Sequence, residues 1–175
     1  MPKIMLRNAV DAWGTGTRFL HWSIAALAFA RIAPGEGRAD PHVPHDTLVV
    51  DGPARRADAG LTTRPSAADV EGTRANMMTR VLDVERYPYA AIAVRGGTGD
   101  GGARQVTVAI TLHGVTRAME VPLRIEPAGG DLDVRGRLTL AQSDFGIVPF
   151  SILGGAIAVQ DAVEVDFRIR AGRIE

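Results

Sequence analysis

Gln105-Val106-Thr107-Val108-Ala109-Ile110-Thr111-Leu112-His113-Gly114-Val115-Thr116-Arg117-Ala118-Met119-Glu120-Val121-Pro122-Leu123-Arg124-Ile125 decides how the rest of the chain is read. In its first half Val106, Val108, Ile110 and Leu112 alternate with Thr107, Ala109 and Thr111. In its second half Met119, Val121, Leu123 and Ile125 alternate with Glu120, Pro122 and Arg124. Successive side chains of a strand point to opposite faces, so each half has an oily face and a wetter one. His113 to Arg117 is short enough to be a hairpin connection between them. The same period continues downstream. Leu132, Val134, Gly136, Leu138 and Leu140 share one phase, and Val163, Val165, Phe167 and Ile169 alternate with Glu164, Asp166, Arg168 and Arg170. Gly96 to Gly102 (GGTGDGG) and Pro127 to Asp131 (PAGGD) supply the remaining turns. Strands joined this tightly predict an all-β fold, an antiparallel meander that closes into a barrel around one apolar interior.

Working outward, the period changes upstream of Tyr89. Ser66 follows Pro65 and precedes Asp69 by three residues, which is a capping-box pattern for a short helix. Val70, Met77, Met78 and Val81 fall on one side of that helix, and Pro88 ends it. Residues 34–45, rich in Pro, Gly and charge, are expected to be a linker, with the barrel domain running from 46 to 175. Residues 1–33 are expected to hold an N-terminal apolar helix over Phe19 to Ala33 (FLHWSIAALAFARIA). This stretch is interrupted by His21 and Arg31 and falls short of the roughly 20 apolar residues of a spanning helix. Its length suits a signal-peptide core or an anchor, with Ala28-Phe29-Ala30 as an A-x-A cleavage pattern, and equally a plain amphipathic surface helix. The location expected from it is the periplasm or the inner membrane. The whole chain of 175 residues is 46% apolar but only 5% aromatic, and its 20 basic and 20 acidic residues cancel. No net field draws it to nucleic acid or to an anionic membrane, and with no cysteine it has neither disulfides nor thiolate chemistry.

Four segments resemble the YceI family. Asp83-Val84-Glu85-Arg86-Tyr87-Pro88 resembles its entry to a central strand, and Leu112-His113-Gly114-Val115-Thr116-Arg117 its hairpin. Ser143-Asp144-Phe145-Gly146-Ile147 resembles its Ser-Asp-Phe-Gly-Ile segment, and Gly154-Gly155-Ala156 through Val159, Asp161, Val163 and Phe167 its closing strand. They occur in the family's order between Asp46 and Arg170. The resemblance implies a lipocalin-like barrel enclosing an isoprenoid chain, with no catalytic residues. Two or three opening strands of that family have no counterpart before Asp46 in the pattern of residues, so the barrel is expected to be incomplete, with open edges that favour dimers. In their place, Trp13-Gly14-Thr15-Gly16-Thr17-Arg18-Phe19-Leu20-His21-Trp22 resembles the first helix of the bacterial cytochrome b-561 type. That resemblance makes His21 a haem ligand and a membrane cytochrome a partner. A single helix lacks the second axial ligand, so no haem is expected in this chain alone.

The expected ligand is therefore a polyisoprenoid or isoprenoid quinone, carried or stored without chemistry. The expected lining is Val106, Val108, Ile110, Val121, Leu123, Val134, Leu138, Phe145, Val163, Val165 and Phe167. Other motifs give way to plainer readings. His113 sits in a turn, and His42 and His45, three apart, lack a third metal ligand on a rigid element. Asp144-Phe145-Gly146 has no accompanying kinase catalytic loop or strand lysine. Gly96 to Gly102 joins two strands and opens no helix, so it is no phosphate loop. The reading is of a binding protein, with a haem-bearing electron-transfer helix and an inactive fragment as the alternatives.

Overall fold

A computed structural model describes residues 3–7, 24–27, 32–33, 38–39, 42–50, 52–58, 61–62, 64–100, 102–129, 131–152 and 157–171. The first strands are short: β1 (Lys3–Arg7), β2 (Ile24–Leu27), β3 (Ile32–Ala33), β4 (Arg38–Ala39), β5 (His42–Pro44) and β6 (Val49–Val50). Two helices follow, α1 (Pro53–Asp58) and α2 (Ala67–Asn76). The long strands are β7 (Tyr89–Thr98), β8 (Ala103–Leu112), β9 (Val115–Ala128) and β10 (Asp131–Ala141). A small hairpin, β11 (Ser151–Ile152) and β12 (Ile157–Ala158), precedes the closing strand β13 (Ala162–Ala171).

The main sheet has the order β3-β4-β7-β8-β9-β10-β13-β1-β2-β6, with β5 also on β7. Its register explains the alternation. Val106 lies opposite Val121 and Val108 opposite Met119. Leu123 lies opposite Gly136, which in turn faces Phe167, while Leu138 pairs with Val165 and Leu140 with Val163. Directly paired residues of antiparallel strands share a face, so the oily phases of four strands merge into one surface. His113 (φ 51°) and Gly114 (φ 76°) form the turn between β8 and β9, and positive φ at both central positions is what a type I′ hairpin requires.

The curl of the sheet follows from connectivity. β4 and β5 lie end to end along one side of β7, while β6 pairs with β2 at the far end of the sheet. Only residues 45–48 separate β5 from β6. Five Cα steps span at most about 17 Å, so both ends of the sheet must meet there. The result is a lipocalin-like antiparallel sheet curled on itself.

The opening strands that the pattern of residues did not show are present among the described residues, the sheet curls into a half-barrel, and the described part of the expected N-terminal helix is strand. Lys3–Arg7 is a strand whose Ile4 and Leu6 fall in register with Phe167 and Val165. Ile24–Leu27 and Ile32–Ala33, inside the stretch read as a helix, are strands too. Arg38–Ala39 and His42–Pro44, read as linker, pair with β7. An apolar run this short does not distinguish a helix from a buried strand by period alone, and sheet pairing decides it. His21 lies outside the described residues, and so does most of the cytochrome-like segment. Among the described residues no helix is long and apolar enough to cross a membrane.

α2 forms as its cap predicts. The Ser66 hydroxyl accepts from the Asp69 amide, and the Asp69 carboxylate accepts from Ser66 N–H at 3.0 Å. The helix then widens into a π-turn over Met77–Val81, which buries Met77, Met78 and Val81 against the sheet. Single π-turns relieve register between a helix and what it packs on. On the outer face, Asp133 is buried between Arg168 and Arg135, whose guanidinium groups hold its carboxyl well below the usual range.

Candidate functional site

The inner face of the curled sheet gathers most of the predicted lining. Val106, Val108, Ile110, Val121, Phe145 and Val165 are buried in one cluster, with Leu123, Leu138, Val163 and Phe167 half-buried against it. Val134 is buried as well, outside that cluster. The Met77, Met78, Val81 and Leu82 side chains of the π-turn join from the helical side. Phe145 is fully enclosed, and its neighbour Ile147 is nearly so. Gly136 has a specific reason to lack a side chain. A Cβ there would stand 2.7 Å from Leu123 Cδ2 and closer still to the tip of the Phe167 ring, which lies across the strand. Glycine inside a strand commonly marks such an approach.

The motif residues occupy joints. The Tyr87 ring packs on the β8–β9 turn, with ring centroids of Tyr87 and His113 4.5 Å apart. A Cβ on Gly114 would sit 2.8 Å from Tyr87 Cε1. At the other end, the Asp161 carboxylate accepts from Ser143 N–H at 2.8 Å and from the Ser143 hydroxyl. Gln142 N–H donates to Asp161 C=O at 2.9 Å, and Gln142 Nε2 to Gln160 C=O at 2.7 Å. The entry segment thus meets the hairpin, and the Ser-Asp-Phe-Gly-Ile segment meets the closing strand.

A third joint is His45, which the sequence reading set aside as linker. It is 2% exposed, in the turn where the two ends of the sheet meet. Its backbone N–H donates to Pro88 C=O at 2.9 Å, and its Nδ1 stands 2.8 Å from Tyr87 C=O. A carbonyl only accepts, so Nδ1 carries the proton. Burial pushes the imidazole pKa below its ordinary value, partly offset by the Tyr87 carbonyl. Alternation gave no sign of this role, because the residue acts through its neighbours' backbone.

Beside this joint opens a cleft of about 810 Å³, lined by His42, Pro44, Asp46, Arg74, Met78, Val84, Pro88 and Tyr89. None of the predicted lining residues borders it. Its polar rim is built from separate elements. His42 stands edge-on to Tyr89 with ring centroids 5.0 Å apart, and Arg74 of α2 donates to the Asp46 C=O at 3.2 Å. Its floor is apolar: Met78 belongs to the core and Val84 packs against it. Among the described residues no cluster of His, Asp and Glu could hold a metal ion. The cleft can take a small polar group at its rim and an apolar one below.

The YceI-like domain family matches residues 43–171. The chain belongs to this family. Solved structures agree on the fold of a YceI-like protein over the whole chain. BcnA of Burkholderia cenocepacia is 16% identical, with a TM-score of 0.67 over 97% of this chain and 96% of its own. A polyisoprenoid binding domain from Saccharophagus degradans is 12% identical, with a TM-score of 0.64 over 98% and 94%. The YceI protein of Campylobacter jejuni is 11% identical, with a TM-score of 0.58 over 96% and 90%. No curated protein sequence matches significantly. For a YceI-like chain, the joints at Tyr87, His113, Ser143 and Asp161 are the residues by which membership was legible.

Proposed function

We propose that this protein binds a long apolar lipid, an isoprenoid quinone or another polyisoprenoid, inside the curled sheet, and carries or stores it without catalysing a reaction. The reading rests on the single oily surface formed by β8, β9, β10 and β13, whose residues are mostly Val, Leu and Ile. Aliphatic side chains of that size give a prenyl chain continuous contact, at about 25 cal/mol per Å² removed from water. The relative from Saccharophagus degradans, described as a polyisoprenoid binding domain, supports the same class of ligand. The cleft supplies a place for the head group. Its Arg74 and His42 can donate to a carbonyl or phosphate oxygen, Tyr89 offers a ring edge, and its floor at Met78 adjoins the core. A few polar groups around an apolar site are the usual arrangement of a lipid pocket. Export to the periplasm, or tethering at the inner membrane, is the compartment that suits such a carrier.

Native mass spectrometry and organic-solvent extraction of the purified protein test the proposal. A co-purified prenyl lipid, or saturable uptake of a long-chain quinone by delipidated protein, is the expected result. Leu123→Trp and Leu138→Trp, both at half-buried inner positions, should reduce uptake while circular dichroism stays unchanged. Protein that carries no lipid and takes up none would end the proposal.

A further inference from the structure

α2 is held to the rest of the protein by very little. None of its ten residues is buried; Val70, Thr73, Arg74 and Asn76 are half-covered, and the other six stand in water. Helices in folded proteins draw most of their stability from packing an apolar face, and an isolated helix shorter than about 12–15 residues is marginal in water. Among the described residues, its one hydrogen bond beyond the turns at its own ends runs from Arg74 to the Asp46 C=O. Gly72, in the interior of the helix, weakens it further. The surroundings give this glycine no task, since a Cβ there would meet nothing within 4 Å and its φ is not positive. Such a glycine makes a helix about four- to fivefold easier to open than alanine would. What fixes α2 lies at its two ends: the Ser66–Asp69 capping box, and the π-turn that buries Met77 and Met78.

This weakly held helix stands where the cleft meets the core. Arg74 is on the rim of the cleft, and Met78, four residues on, both lines the cleft and belongs to the core cluster. α2 also packs against β6, the strand at one end of the main sheet. We propose that α2 is a gate: it opens by local unfolding on the fixed base of the π-turn, and the rate of opening sets how fast lipid enters and leaves through the cleft. The inference rests on the lipid-binding reading and adds to it the element that controls exchange. Opening takes Arg74 off the rim and uncovers β6, while the long strands and their joints stay as they are. Segments with few buried contacts open at a fraction of the cost of global unfolding, and elements that move for ligand exchange are drawn from that end of the range. An opening that costs the same with and without ligand changes entry and exit alike, so the gate governs rate and not affinity.

Two measurements on the full-length protein test it together: amide hydrogen exchange read by mass spectrometry, and stopped-flow release of dansyl-labelled geranylgeraniol as the probe. In wild-type protein the amides of α2 are expected to exchange at least about 100-fold faster than those of β8 and β9. Gly72→Ala should slow both α2 exchange and probe release about four- to fivefold. Ser66→Ala removes the cap and should speed both about fivefold. In both variants the probe's Kd and the exchange of β8 and β9 should stay as in wild type. Both positions are exposed and neither lines the cleft, and circular dichroism verifies folding. Release rates that ignore both substitutions while α2 exchange responds to them, or α2 amides as protected as those of β8, would overturn the gate. A probe that binds none of the three proteins overturns the lipid-binding reading itself, so the two failures are told apart.

Discussion

Gly136→Ala gives the sharpest test of how the interior is packed. The added Cβ would stand 2.7 Å from Leu123 Cδ2 and closer to the Phe167 ring tip, whereas ordinary contact begins near 3.4 Å. Backbone strain is not involved, because Gly136 is not among the positive-φ glycines. The Phe167 ring must therefore swing away from the strand or the sheet must shift. Overpacking of this kind costs about 1–3 kcal/mol, against about 0.4–1 kcal/mol gained from a stiffer unfolded chain. A net loss of about 1–2 kcal/mol follows, which for a domain of this size lowers the melting temperature by about 2–8 °C. Urea titration and thermal melting measure it. Phe167→Leu removes the ring tip that the new Cβ meets. In the double variant the glycine substitution should then cost less than it does alone, by about 0.5 kcal/mol or more. Simple additivity of the two, or an alanine variant as stable as wild type, would refute this account of the glycine.

Three further outcomes follow from the joints and the proposed ligand. Asp161→Ala leaves Ser143 N–H and its hydroxyl to water, and should cost about 0.5–1.5 kcal/mol in urea denaturation, with the far-UV spectrum retained. His45 gives a pH dependence whose sign is fixed by its burial. Its folded pKa lies below 6.5, so as pH falls past that value the unfolded chain binds a proton that the folded chain refuses. Stability should therefore fall from pH 7 toward pH 5, and His45→Asn, which keeps a donor for Tyr87 C=O but does not titrate there, should flatten the decline. Delipidation by solvent should lower the melting temperature, and adding back a quinone at about 100 times its Kd should restore about 2.7 kcal/mol.

Much of the fold was legible because strands with one face on a core must alternate. From Val106 to Ile169 the phases read from sequence are the phases that meet across the sheet, and the Ser66–Asp69 cap was equally plain. The N-terminal third misled for a physical reason. Ile24–Leu27 is too short to show a period, and its strand identity comes from pairing with β1 and β6, partners far away in sequence. Lys3-Ile4-Met5-Leu6-Arg7 does not alternate either, since Met5 is as apolar as Ile4 and Leu6, and only its pairing with β13 and β2 marks it as a strand. The cleft was invisible for a similar reason: His42, Arg74 and Tyr89 converge from three elements with no common motif.

The residues that reveal the family include some proposed to line the interior, Phe145 and Val163 among them, but the joints they form answer to a different demand. Tyr87 against Gly114, Asp161 on Ser143, and His45 on Tyr87 and Pro88 each depend on one atom meeting another at a fixed distance. A different residue at such a joint leaves a gap or a polar group without its partner, at about 1–3 kcal/mol for the buried His45 and less at the exposed Ser143. The inner face makes no such demand. Exchanging Val for Ile or Leu along β8 or β13 keeps the surface apolar and costs under about 1.5 kcal/mol. A sheet can thus be closed by a few exacting contacts while its interior is free to change in volume and shape. Relatives only 11–16% identical share this fold. On the proposed function, ligand choice would then lie in the interchangeable aliphatic positions and the cleft rim, so exchanging Leu123 or Leu138 for Ile should shift preference among prenyl chain lengths in uptake assays more than it shifts the melting temperature.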